Sequence, residues 1–352
     1  MAYDRGLVDR VLEESRRCVL NELEDLFKRN RATGFGALYD LIADYPFREG
    51  KGLRPAICLA ACLAVGGHTD QARVSAAALE LFHNAFLVHD DVEDDSEFRR
   101  GSVTMLRQHG VPVAVNVGDA TNVLAMQLLL GNVEVLGVRK ALSVLHEVER
   151  MARESVEGQA IELQWIRENQ FDLGDRDYVR MAYKKTCWYT VIAPLRIGVI
   201  CGRPAGLRAP LEDDLLPLIE LGHLAGIAFQ ICDDLLNLEA DEKIYGKESG
   251  GDLWEGKRTV MLLHFLRSTT DSGRRRAMEL LCCPRAMKTD GEVTWLRRAM
   301  TETGSIEYGR SVARRFTEQA LEVDASLQSF FEDNAERHFL REMLSYVIER
   351  AK

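Results

Sequence analysis

Phe86-Leu87-Val88-His89-Asp90-Asp91-Val92-Glu93-Asp94 and Ala228-Phe229-Gln230-Ile231-Cys232-Asp233-Asp234-Leu235-Leu236-Asn237 decide how this chain is read. In each, apolar residues run straight into paired aspartates. On a helix, residues i and i+4 share a face. Asp90 and Asp94 therefore project together with Asp91 beside them, and Asp233 and Asn237 do the same with Asp234 alongside. Carboxylates at that spacing repel one another unless cations neutralise them. Hard oxygen donors suit Mg²⁺, which keeps several waters and bridges to phosphate. Two such clusters facing each other across a cavity would grip a diphosphate through shared metal ions. An acidic run taken alone is most often a solvated helix face. Here the neighbours read as core, and carboxylates that interrupt a core-like helix need compensation.

Outward from these stretches, helical periodicity fills almost the whole chain. Leu7, Val11, Leu12, Val19, Leu20 and Leu23 give an amphipathic opening helix, and alternating strand patterns are scarce. Further helices are predicted over 36–46, 53–66, 70–92, 112–134, 137–166, 176–202, 212–239, 256–269, 274–283, 291–303, 305–326 and 332–350. Breaks fall at Gly66-Gly67, Gly101, Gly110-Val111-Pro112, Asp172–Asp175, Gly202-Arg203-Pro204, Gly250-Gly251 and Ser268–Gly273. Short breaks between long helices favour antiparallel neighbours in one bundle. No repeat or low-complexity linker divides the chain, so residues 1–352 are expected to form one all-α domain, a single large antiparallel helical bundle around a central cavity.

The 352 residues suffice for a sizeable core. A formal charge of −10 argues against nucleic acid as partner, so a phosphate-bearing substrate would need a local basic lining or metal ions. No apolar stretch reaches the roughly 18 residues of a membrane span, and the charged N-terminus lacks the apolar core of a signal peptide. A cytoplasmic protein is the expectation. The eight cysteines, none in a Cys-x-x-Cys pair, read as reduced thiols, most of them in the core. The adjacent Cys282-Cys283 receives no role.

With the first cluster followed by Arg99-Arg100-Gly101, the chain resembles the trans-type isoprenyl diphosphate synthases of the polyprenyl synthetase family, farnesyl and geranylgeranyl diphosphate synthases among them. The family pattern is Asp-Asp-x-x-Asp, a short spacer, then Arg-Arg-Gly. The second cluster resembles its second aspartate-rich motif. Gly50-Lys51-Gly52-Leu53-Arg54-Pro55 resembles its early Gly-Lys-x-x-Arg-Pro motif, and His83 stands at the family's distance before Asp90. Asn116-Val117-Gly118-Asp119, Gly158-Gln159, Lys185-Thr186, Gly246-Lys247, Asp252 and Gly256-Lys257-Arg258-Thr259 follow in family order. The likeness runs from Gly50 to the C-terminus.

This resemblance implies an isoprenoid-synthase bundle that condenses isopentenyl diphosphate with an allylic diphosphate. Lys51, Arg54, His83 and Arg100 would hold isopentenyl diphosphate without metal, arginine as a planar fork and lysine as a point charge. Asp90, Asp94 and Asp233 would bind Mg²⁺ on the allylic diphosphate, about three ions per site. Asp91, Asp234 and Asp252 would support those ions. Arg99, Lys185, Lys257 and, more weakly, Lys247 would contact the allylic diphosphate. Lys185, Thr186 and Gln230 would line the carbocation. The tail would grow along a tunnel whose floor is set by Phe86 and Ala85, one helical turn below the metals, and by Phe82 a turn further. One bulky stopper, Phe86, beside the small Ala85 implies a product of about fifteen to twenty carbons at ~1.5 Å rise per residue. A homodimer is also implied.

Taken singly these residues say less. Lys51 and Arg54 also fit exposed charges at a helix start, Arg99 and Arg100 could pair with the acids beside them, His83 could be a core histidine, and Phe82 and Phe86 could pack a helix interface. Only the joint spacing lifts the set. Asn237 departs from the family's third aspartate, keeping an oxygen and losing a charge, and Glu49 stands where a second glycine is common. Two other functions remain open to the sequence. A terpene cyclase on the same scaffold would not need Lys51, Arg54, His83 and Arg100. A non-catalytic regulatory partner subunit would not need intact Asp90, Asp91, Asp94, Asp233 and Asp234.

Overall fold

Asp4 opens the first helix, its carboxylate accepting the Leu7 N–H at 3.0 Å. The structure, a computed structural model, describes residues 3–48, 50–204, 215–239 and 250–349. The first half comprises α1 (Arg5–Thr33), α2 (Gly36–Phe47), α3 (Leu53–Leu63), α4 (Thr69–Glu93), a hairpin of β1 (Phe98–Arg99) and β2 (Ser102–Val103), α5 (Met105–His109) and α6 (Val111–Arg167). Then come α7 (Asp175–Ala182), a π-helical segment (Tyr183–Ile192), α8 (Ala193–Gly202) and α9 (Leu216–Glu239). The rest is α10 (Gly251–Glu255), α11 (Val260–Ser268), α12 (Asp271–Cys282), α13 (Asp290–Glu302), α14 (Ser305–Ser326) and α15 (Ala335–Glu349).

The architecture is the expected all-α one. α4 lies along α6, α3 along α8, and α14 covers α9. One apolar core joins α1–α4, α6, α8 and α15; a second gathers α7, the π segment, α9 and α11–α14, and Phe229 packs against both. Between α3, the π segment, α8, α9 and α15 lies an apolar recess of about 520 Å³, lined by Leu53, Ile57, Val191, Leu195, Phe229 and Leu340 among others. Among the described residues no helix is long and apolar enough to cross a membrane. All eight cysteines are free thiols, five of them buried.

Three local departures matter for the site. The predicted helix 176–202 is α7, a π segment and α8 in one continuous run. The π segment is threaded between α6 and α9, where glycines replace side chains: a Cβ on Gly158 would stand 2.1 Å from the Lys185 nitrogen, and one on Gly226 2.7 Å from the Cys187 Cα. The predicted helix 256–269 starts only at Val260, because Gly256 turns at φ +79° and the Thr259 hydroxyl caps the new helix by accepting from Leu262 N–H. The predicted helices 112–134 and 137–166 run on as α6, interrupted at Gly137, whose φ is +74°.

Candidate active site

Carboxylates at a helix C-terminus are electrostatically awkward, since the macrodipole already puts partial negative charge there. Asp90 and Asp91 close the last turn of α4, and Asp94 is its cap. Cations from other elements answer them. After Asp95, at φ +52°, the chain enters the hairpin, and its two-residue turn is Arg100-Gly101, both at positive φ as the tight β-turn requires. That turn sends the two arginines apart. Arg99 folds back onto Asp91, through Nε at 2.8 Å and through Nη2, and onto Asp90 at 3.0 Å. Asp91 is fully buried and also accepts from the Tyr45 hydroxyl at 2.6 Å. Burial works against the charge on Arg99, but Asp91 and Asp90 outweigh it, so the group is held above its ordinary pKa.

The second cluster sits in the last two turns of α9. Asp233 is half-buried, while Asp234 is buried and accepts from the Tyr178 hydroxyl at 2.7 Å and the Gln230 amide at 2.6 Å. Thr186 donates to the same Gln230. Among the described residues no arginine contacts Asp234, and burial pushes its carboxyl up to about 7, with Tyr178 and Gln230 opposing and Asp233 adding. Asn237 is turned toward the following segment: its side-chain oxygen accepts the Asp252 N–H at 3.0 Å, and its carbonyl the Gly250 N–H at 2.7 Å. The oxygen expected as a possible ligand is thus engaged in placing Asp252.

Two lysines face the first cluster, and one of them also approaches Asp252. Lys257 reaches Asp94 at 2.6 Å and Glu255 at 2.7 Å, and lies 4.0 Å from Asp252. Burial pushes Asp94 up to about 7; Lys257 opposes this, and Asp90 and Glu255 reinforce it. Lys185, on the π segment, donates to Glu162 of α6 and stands 3.9 Å from Asp90. Burial disfavours its charge, yet Glu162, Asp90 and Asp94 hold its pKa above the ordinary value. Lys247 lies outside the described residues.

The other basic set gathers round Tyr189. Arg54 lies over that ring at 4.2 Å and donates to the Thr190 hydroxyl at 2.9 Å. His83 Nε2 is 3.5 Å from Arg100 Nη2, and its ring is 6.0 Å from Tyr189. Burial, then Arg54 and Arg100, drive the His83 pKa well down, so the imidazole is neutral. Lys51 is exposed, with its ammonium 5.3 Å from the Tyr346 ring. Phe86 meets Tyr189 edge-on at 5.7 Å and Phe82 at 6.5 Å; Phe82 and Ala85 are buried.

Among the described residues no three or more His, Cys, Asp or Glu side chains stand close enough together to ligate an ion. The donor set still fits a hard divalent cation. It offers carboxylate oxygens, and the carboxyl of Asp94, raised first by burial and further by Asp90 and Glu255 against Lys257, would be lowered by an ion bound beside it.

The model of the polyprenyl synthetase family matches residues 37–300. This chain belongs to that family. The geranylgeranyl pyrophosphate synthase of Geoglobus acetivorans is 30% identical over 348 residues, covering 98% of this chain and 99% of the relative. A short chain isoprenyl diphosphate synthase of Methanothermobacter thermautotrophicus is 31% identical over 307 residues, 86% of each. Among solved structures, the geranylgeranyl pyrophosphate synthetase of Pyrococcus horikoshii superposes with a TM-score of 0.80 at 28% identity, over 98% of both chains.

Within this member of the polyprenyl synthetase family, five residues at the site carry no spacing signal: Tyr45, Glu162, Tyr178, Tyr189 and Glu255. Packing alone brings them there. One clue was available, since a buried aspartate must find donors, but nothing in the sequence says that two of them are tyrosines from α2 and α7.

Proposed function

We propose that this chain is a Mg²⁺-dependent prenyltransferase that condenses isopentenyl diphosphate with an allylic diphosphate to a linear trans-prenyl diphosphate, geranylgeranyl or farnesyl. The observation that carries this reading is two anion sites of different chemistry on one molecule. One is carboxylate-rich, with Lys185 beside Asp90 and Lys257 between Asp94 and Asp252. The other is a metal-free set of Arg54, His83 and Arg100, in which Arg54 Nε and His83 Nδ1 are buried without a hydrogen-bond partner among the described residues.

In this reading Asp90, Asp94 and Asp233 hold Mg²⁺, about three ions when diphosphate is bound, and Asp91, Asp234 and Asp252 support them. Bound Mg²⁺ supplies positive charge to the departing diphosphate. Arg99, Lys185, Lys257 and Lys247 bind the allylic diphosphate and stabilise the charge that develops as its carbon–oxygen bond breaks. Thr186 and Gln230, hydrogen-bonded to each other, turn oxygens toward the carbocation beside Lys185. Lys51, Arg54, His83 and Arg100 orient isopentenyl diphosphate so that its double bond attacks. The new carbon–carbon bond forms, and a proton leaves to the released diphosphate. Neutral His83 donates to phosphate without adding charge.

The names of the relatives favour a twenty-carbon product, and Phe86, packed on Tyr189 and Phe82, would set the floor of the tail tunnel. Phe86→Ala should lengthen the product; an unaltered product removes Phe86 from that floor. Residues 1–352 are assigned to one domain, supported by Phe229 packing against both cores. A homodimer is supported by the outer face of α6, where Val123, Leu130 and Val138 are more than 60% exposed. Free buried thiols fit a cytoplasmic setting. The deciding experiment incubates purified protein with Mg²⁺, isopentenyl diphosphate and allylic diphosphates of increasing length, with products read by mass spectrometry. Longer linear prenyl diphosphates establish the function. Hydrocarbon or cyclic alcohol from an allylic substrate alone would make it a cyclase.

A further inference from the structure

The segment Gly50-Lys51-Gly52, between α2 and α3, is sandwiched by two arginines far apart in sequence. On one side the Arg100 guanidinium lies against Gly50, where a Cβ would stand 2.8 Å from Cζ and 3.0 Å from each terminal nitrogen. On the other, Arg16 of α1 packs on Gly52, where a Cβ would stand 3.4 Å from that of Arg16. Gly52 itself sits at φ +57°, a conformation that favours glycine. Both arginines line a cleft of about 260 Å³ with Arg48, Pro55 and Glu80. Arg48 is engaged by Asp44 and by the carbonyls of Arg99 and Val103. Glu80, one turn before His83, is buried; burial raises its pKa, and Arg100, Arg54 and Arg16 pull it back. Among the described residues, the Glu80 carboxylate thus faces three guanidinium groups. Beside it, Arg54 Nε and His83 Nδ1, on residues 8% and 9% exposed, have no hydrogen-bond partner among the described residues. Buried donors in this state cost free energy until an acceptor arrives.

We propose that Arg16 is a further wall of the isopentenyl diphosphate subsite, a specificity-determining cation that α1 contributes to the face of Gly50-Lys51-Gly52 opposite the β-hairpin. This rests on the function proposed above. It goes beyond the shared motifs, because α1 precedes the segment 37–300 that matches the family. A diphosphate bound without metal needs several fixed cations, and Lys51, exposed and flexible, is a weak holder by itself. Arg16 supplies a second guanidinium on the side that Arg100 does not cover.

The test is kinetic. Arg16→Gln should raise KM for isopentenyl diphosphate roughly tenfold, the loss of one charge-assisted contact. kcat and KM for the allylic diphosphate should stay within about twofold of the unaltered enzyme. Arg16→Lys should recover most of the loss. A purely structural role would instead move both KM values or the melting temperature. Wild-type KM for isopentenyl diphosphate in Arg16→Gln overturns the proposal, and so does an equal rise in both KM values. Calorimetric titration of isopentenyl diphosphate into each protein in EDTA separates the failures. Binding that is unchanged by Arg16→Gln removes Arg16 alone. An unaltered enzyme that neither binds nor consumes isopentenyl diphosphate removes the function and this subsite with it.

Discussion

Asp91 and Asp234 hold the same place in their clusters. Each follows the first aspartate of its pair, each is buried, and each accepts from a tyrosine hydroxyl, Tyr45 at 2.6 Å and Tyr178 at 2.7 Å. They differ in what neutralises them. Asp91 has the Arg99 guanidinium, delivered by the hairpin that follows it. Among the described residues Asp234 has the neutral Tyr178 and Gln230, and burial leaves its carboxyl at about 7. Within the described residues, the buried aspartate of the first cluster therefore carries a guanidinium and that of the second does not. A diphosphate bound through Mg²⁺ would change the second far more than the first.

The strongest way to break this comparison is to remove the first aspartate of each pair. Asp90→Ala and Asp233→Ala should each lower turnover by about a thousandfold, while the melting temperature holds or rises because repulsion is relieved. Unchanged turnover in either variant would sink the metal assignment for that cluster.

A smaller effect separates the two tyrosines. Tyr178→Phe removes a hydrogen bond that favours ionised Asp234, so that carboxyl should titrate higher still, and the acid limb of the pH–rate profile should move to higher pH. Tyr45→Phe leaves Arg99 on Asp91, so the profile should stay in place. Its cost should be stability, about 1–3 kcal/mol, because the Met105 N–H that the Tyr45 oxygen accepts at 3.0 Å would lose its partner. A displaced profile in Tyr45→Phe, or an unmoved one in Tyr178→Phe, would erase the distinction. Linkage gives the sign for the folded protein. A carboxyl raised from 3.8 to about 7 binds its proton more tightly in the folded state, so its contribution to stability falls as pH rises through that window and levels off above it. Mg²⁺ should restore melting temperature above pH 7 and do little at pH 5.

The spacing of Asp90, Asp94 and Asp233 was legible in the sequence because the elements around them are local, whereas Lys257 was named only by the resemblance to the family. Helical period and apolar flanks place the aspartates at helix ends with no knowledge of the rest. The hairpin was not legible: strands of two residues carry no alternation, and only Gly101 marked a break. The π segment was not legible either, because a widened turn has no period of its own. It exists where Gly158 of α6 and Gly226 of α9 let backbone approach backbone, and those residues lie far from Lys185 in sequence. Tyr45, Tyr178 and Glu162 share this cause. Each meets a charged group that the sequence singled out, and each is brought there by tertiary packing.

The least expected effect lies at the ends of the clusters. The first ends in Asp94, buried against Lys257; the second ends in Asn237, where the family has aspartate. If the second cluster needed all its charge on the metal side, Asn237→Asp should strengthen Mg²⁺ dependence markedly. The geometry argues otherwise. The Asn237 oxygen accepts the Asp252 N–H at the start of α10, and a carboxylate would accept the same bond. Turnover and the Mg²⁺ concentration for half-activity should therefore stay within about threefold, less than about 1 kcal/mol. A gain of tenfold or more in Mg²⁺ affinity would place position 237 among the ligands and make the two clusters more alike than their second aspartates are.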